Sequence, residues 1–200
     1  PPAGLKHPQI PPPEAMEGSL RLYLRECTTW DEPPILGLVK SPFPGTATFH
    51  PLTIPTAMWD VWRQPAPLLR RMTRVWADPA KQGHAIRRLI APGDTDDMVG
   101  VWLRHEGWRS ENLRDAEMKA LAARYGASYD FKNSTSRQEV RMMGVALLDG
   151  LFHQATQVRD NDHMEFLCER HGDSSTGHGG PLPELLLVLA AALCRNGHTP

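Results

Sequence analysis

No excess of either charge marks this chain: its 200 residues carry 22 basic and 23 acidic side chains, a formal charge of -1. There is no net field to hold a polyanion, so whole-chain binding to nucleic acid is not expected. Long apolar runs are also missing. The longest, Leu185 to Cys194, is about half of the ~20 residues a membrane-spanning helix needs, and no charged-then-apolar leader opens the chain. A soluble piece without membrane contact is expected. Cysteine is scarce as well, three residues at scattered positions, which rules out a disulfide framework and suits a reducing compartment or incidental thiols. The sequence opens on Pro1 and Pro2 rather than Met, as a fragment of a longer protein would. What is present is ordinary globular material: 40% hydrophobic and 22% charged residues, enough for one packed domain.

Proline divides the chain, with 14 of its 19 falling in the first 67 residues, where each removes a backbone donor and disfavours helix just before it. Residues 1–18 read as a proline-rich linker or the end of an upstream region, and residues 19–200 as a single domain. Leu20, Leu22 and Leu24 alternate with Arg21, Tyr23 and Arg25, the period of a short strand with one buried face. Ile35 to Val39 and Thr46 to Ile54 are β-prone but broken by Pro42, Pro44 and Pro51, so any pairing is short or at an edge, in loops and ribbons and not in a large sheet.

Past Pro67 the period turns helical. Leu68, Leu69, Met72, Val75 and Trp76 share one face, opposite Arg70, Arg71 and Arg74. Asp78 caps a second helix from Ala80 to Ile90, and Asp94 with Asp97 opens a third carrying Met98, Val101 and Trp102. Ser110 caps a fourth that ends at Gly126. Ser136 and Glu139 form a capping box before Val140, Met143, Leu147, Leu148, Leu151 and Phe152. A shorter helix runs from about Asp162 to His171, and an apolar one from Pro183 to about Cys194 threads the centre. The expected fold class is therefore mainly α, an irregular helical bundle with a short extended N-terminal section.

Leu22-x-Leu24-x-x-Cys27 matches the second half of the leucine-rich repeat signature, with Ser19 where the first leucine belongs and Thr29 where the last does. Ile10 with Pro11 to Pro13 resembles the proline-bearing back of such a repeat. On these residues the chain resembles the region that follows the repeats in bacterial leucine-rich-repeat type III effectors, where a helical E3 ubiquitin-ligase domain of the XL-box kind is found. The competing reading is a stray amphipathic strand with no repeat before it. The Cys-x-Asp nucleophile of one ligase type is missing at Cys27, Cys168 and Cys194, so the resemblance implies a ligase that docks a ubiquitin-conjugating enzyme without a catalytic cysteine. It further implies a virulence protein secreted into the host cell cytoplasm; otherwise the chain is cytoplasmic. Trp102 and Glu106 satisfy the Trp-x-x-x-Glu pattern of GTPase-exchange effectors, a two-letter match better explained as a structural helix turn.

The remaining constellations are weighed by their chemistry. Cys168-x-x-His171 and Cys194-x-x-x-His198 have spacings that tetrahedral zinc accepts, and Cys168, His171 and Asp173 also admit a nucleophile, base and orienter reading. A Cys168/His171-dependent enzyme or a zinc-stabilised binding module is thus the alternative function, while the main expectation is no metal, no cofactor and no catalytic residue. The Gly172 to Gly179 stretch imitates a phosphate loop but places His178 where lysine must stand. Asn133 to Ser136 reads as a helix cap, and Asp94, Asp96 and Asp97 as an acidic first turn. What is left is surface. Arg70, Arg71, Arg74, Arg87 and Arg88 together with Trp62 are the expected contacts for a protein partner, since Arg and Trp anchor protein interfaces.

Overall fold

The computed structural model of the chain describes residues 9–59, 64–91, 93–110, 137–161, 163–170 and 182–196. Its centre is a six-stranded, wholly antiparallel sheet in the order β2-β1-β3-β4-β5-β6, built from β1 (Ile35–Lys40), β2 (Thr48–Pro51), β3 (Met98–Ser110), β4 (Arg137–Leu147), β5 (Leu151–Val158) and β6 (Met164–Arg170). Helix α1 (Pro13–Glu26) covers one face, and α2 (Pro65–Ala77) with α3 (Leu182–Asn196) covers the other. This overturns the expectation of a mainly α bundle. The chain is an α/β fold in which the sheet carries both cores.

Helix α1 replaces the expected N-terminal strand. Pro13 stands in its first turn, where the missing N–H leaves no gap. Met16, Leu20 and Leu24, each four residues from the next, are buried, whereas Leu22 is 63% exposed. The 20-22-24 alternation that resembles a strand is therefore broken by its middle member, and the four-residue spacing decides. The residues that carry the repeat resemblance thus lie on this helix and not on a repeat strand.

The expected helix over Val140 to Phe152 is a β-hairpin, β4 and β5. Both faces of this sheet are covered, so Val140, Met143, Val145, Ala146 and Leu147 are all buried and show no polar alternation. The turn is set by Asp149 and Gly150: Gly150 takes φ +85°, its N–H donates to the Leu147 carbonyl at 3.0 Å, and the Asp149 carboxylate accepts from the Leu151 N–H at 3.0 Å. In the same way Met98, Val101 and Trp102 belong to β3, and most of the Asp162 to His171 segment forms β6. Between Pro79 and Leu89 the chain makes two short 3-10 turns, Pro79–Lys81 and Ala85–Leu89, in place of one helix. The expected Ser110 to Gly126 helix lies outside the described residues, apart from Ser110 at the end of β3.

The helices expected at α2 and α3 are present, and β1 and β2 are short strands as expected, but they belong to the six-stranded sheet, β1 inside it, and not to separate loops and ribbons. Edge strand β2 takes Pro51 because Leu52 donates back to the Leu36 carbonyl at 2.9 Å, which turns the nitrogen of residue 51 away from β1. Helix α3 packs beside α2 on the outer layer and leaves Val188 42% exposed, so it covers the sheet and does not thread a bundle. At the centre of the α1 face sits Trp102, fully buried, with Tyr23 and Phe49 edge-on at 5.2 and 5.8 Å. No helix among the described residues is long and apolar enough to cross a membrane.

Candidate functional site: a basic helical face and a buried charge cluster

The amphipathic pattern of α2 decides what the chain presents outward. Leu68, Leu69, Met72, Val75 and Trp76 are buried against α3 and the sheet. Pro67, Arg70, Arg71 and Arg74, spaced three and four apart, form the opposite stripe and are exposed. None of these three guanidinium groups has an ion-pair or hydrogen-bond partner among the described residues. Three unpaired positive charges thus project from one rigid helix on a chain whose total charge is -1. Arg88 is exposed nearby and reaches the Gly83 carbonyl at 3.5 Å.

Arg87 is placed differently. Its guanidinium donates to the carbonyls of Val75, Trp76 and Asp78 at 3.3, 3.2 and 3.1 Å and stacks 4.8 Å from the Trp76 ring. It closes the C-terminal end of α2, where helix carbonyls lack partners, and has little left to offer a visitor. Trp62 lies outside the described residues. Trp76 and Trp102 are core, 6% and 0% exposed. Trp59 lines a groove of about 320 Å³ with Pro33, Pro34, Leu36, Leu52 and Ile54. None of the described residues that line the groove is titratable.

A second concentration of charge was not legible in the sequence. On the α1 face, beyond the apolar centre, β3 and β4 present Arg104, Glu106, Glu139 and Arg141, and the loop after α1 folds over them. Arg141 is 0% exposed. Its Nε and Nη2 donate to Glu106 Oε1 at 3.0 and 2.8 Å, its Nη1 to the Cys27 carbonyl at 2.7 Å, and its Nη2 also to the Thr29 carbonyl. The Trp30 ring covers it 4.4 Å away. Glu106 Oε2 accepts from the Asp31 and Glu32 N–H groups at 2.7 and 3.3 Å, with Asp31 held at φ +65°. Arg104 pairs with Glu32, and Arg159 bridges Glu139 at 2.7 Å and Asp31 at 3.6 Å.

Oxygens of Asp31, Glu106 and Glu139 come within 4.8 Å of one another, but Arg141 and Arg159 neutralise them. Such a knot, with its donors spent on backbone and carboxylates, fastens a loop and leaves no vacancy for a substrate. The hydrogen bond from Thr29, followed by the charge of Arg104, holds the Glu32 carboxyl below the usual carboxylate range.

The thiols are dispersed. Cys27 donates to the Tyr23 carbonyl at 3.3 Å and accepts from Arg104 at 3.2 Å; no imidazole is among these contacts. Cys168 lies on β6 and is exposed, while Cys194 lies on α3 beside the opposite core. One ion therefore cannot join the two thiols. His171, Asp173 and His198 lie outside the described residues, as do Gly172 to Gly179 and Asn133 to Ser136. The neighbour the structure does give Cys168 is His153, its register partner on β5, with Sγ and Nε2 3.9 Å apart. Burial pushes the thiol up and the imidazole down, the reverse of what a thiolate-imidazolium nucleophile needs. Trp102 and Glu106 are on a strand, not a helix turn. Both point to the α1 face, one into the aromatic cluster and one to Arg141.

Taken as a class, this is an antiparallel sheet clad by helices on both faces, with a basic outer helix and a clasped loop. Comparison with protein-family models, curated proteins and solved structures finds no match to this chain.

Proposed function

We propose that the chain is a protein-interaction domain that uses the outer stripe of α2 to grip an acidic surface on a partner protein. The observation that carries this reading is the row of Arg70, Arg71 and Arg74, exposed and without a partner among the described residues, on a helix whose other side is fixed in the core. Arginine presents a planar fork that fits carboxylates, and a preformed row of them costs little ordering on binding. Among the described residues nothing favours a reaction: the buried charge cluster spends its donors on its own carboxylates and carbonyls, and burial opposes charging of both Cys168 and His153.

The specific form to test is a ligase that works by orientation alone, with a ubiquitin-conjugating enzyme as the partner. Its sequence support is reduced, because the repeat-like residues are helical. The chain, mixed with ubiquitin-activating enzyme, a broad panel of conjugating enzymes and ubiquitin, should yield ubiquitin chains that disappear when Arg70, Arg71 and Arg74 are changed to Glu. No chains with any member of the panel defeats the ligase form. The broader reading fails if the triple Glu variant captures the same proteins from a cell extract as the parent does.

A further inference from the structure

We infer that Cys168 and His153 form a binding site for a thiophilic divalent cation of the zinc class, on the α1 face at the β5-β6 edge of the sheet. This goes beyond the docking role and does not depend on it. The two residues are cross-strand partners, so the sheet fixes both side chains on one face without help from the metal. Tetrahedral zinc, with bonds of about 2.3 Å to sulfur and about 2.0 Å to nitrogen, separates these donors by roughly 3.5 Å. The observed 3.9 Å closes to that with a shift of a few tenths of an ångström.

Access and charge suit the ion. Cys168 is exposed, whereas His153 is 3% exposed and has that thiol, a weak partner, as its hydrogen-bonding contact. The charges that act on the sulfur are the carboxylates of Asp149, Glu14 and Glu169, opposed by the Arg170 guanidinium. Three carboxylates against one guanidinium favour a cation beside the sulfur. On binding, the S–H bond breaks, the sulfur-metal bond forms and the proton leaves to solvent. Water fills the remaining positions.

Cadmium is the probe, because its bond to a thiolate absorbs in the ultraviolet. The full chain titrated with Cd²⁺ should develop that band and saturate near one equivalent, and Cys168→Ser, which keeps Cys27 and Cys194, should abolish it. His153→Gln should weaken binding roughly tenfold or more, since losing even an outer partner of a metal ligand costs that much. Should that variant fail to fold, nitrogen NMR of the parent protein decides: one imidazole of the nine histidines shifts on adding Cd²⁺, and does not in Cys168→Ser. A band that survives Cys168→Ser, no band in the parent, an unchanged affinity in folded His153→Gln, or no imidazole shift each overturns the proposal.

Discussion

Arg141 and Glu106 are register partners across β3 and β4, and the guanidinium of the first, fully shielded from water, is the point on which the loop after α1 is hung. Four acceptor contacts meet there: two to Glu106, one to the Cys27 carbonyl and one to the Thr29 carbonyl. Removing the cation leaves a carboxylate and two carbonyls short of partners at once. Arg141→Met should therefore cost about 3–5 kcal/mol of stability, the range for breaking one side of a buried pair. Glu106→Gln, which keeps an acceptor for the guanidinium, should cost less. Denaturant melts of both single variants and the double variant would show a clearly non-additive cycle, and additive costs would mean that the two side chains do not act together.

The aromatic cluster depends on a missing side chain. A Cβ built on Gly37 would stand 2.4 Å from Trp102 Nε1 and 2.3 Å from the His50 carbonyl, both closer than real contacts allow. The carbonyl belongs to the paired edge strand and cannot swing aside, so Gly37→Ala should lower stability by about 1–3 kcal/mol, as overpacking does. Gly18, with open space around its Cβ position, is the matched control on α1. There alanine should be neutral or slightly stabilising, because helix interiors favour it over glycine. Equal effects of the two substitutions in a thermal melt would contradict the packing described here.

These two residue pairs also mark where the sequence stopped being legible. Helices α2 and α3 were readable because one carries a polar stripe and the other a long apolar run, and each lies on the outside of the sheet. Strands β3 to β5 were not, because a sheet covered on both faces loses its alternation, and Val140, Met143 and Leu147 then fall three and four apart by coincidence. The one local signal was Asp149-Gly150 between two apolar runs, a hairpin turn read instead as the middle of a helix. Of the expected contacts, Arg70, Arg71 and Arg74 were legible from the same periodicity that defined α2. Arg87 looks identical in sequence, and only the fold turns it back onto the carbonyls of Val75 and Trp76. His153 as the neighbour of Cys168 follows from register alone, so no spacing rule within β6 points to it.

The α2 stripe separates binding from folding. Arg70, Arg71 and Arg74 are exposed and make no ion pair among the described residues, so changing all three to Glu should leave the melting temperature within the small range usual for surface substitutions. Partner affinity should fall roughly 10–100-fold through like-charge contact, and in the parent the association rate should drop as salt rises toward 0.5 M. Association that is indifferent to salt would assign the grip to some other face.

Acid should loosen the molecule in two stages, and the histidines act first. Burial holds His153 and His105 below the ordinary value of 6.5. The unfolded chain therefore takes up protons at a pH where the folded one does not, and stability rises with pH in that interval. The contribution is complete above about pH 6.5 and is lost as pH falls from there toward the lowered values. Glu32 follows, since its lowered value means that its stabilisation is present above its unfolded value of 4.5 and disappears as pH falls through the folded one. Melting temperatures recorded from pH 8 to pH 4 should thus be flat above neutrality and then decline. Replacing His153 by Gln should flatten the first part of that decline, while Glu32→Gln should leave it unchanged and flatten only the second. A decline that begins above pH 7, or one unaltered by His153→Gln, would mean that the buried imidazole is not the group being titrated.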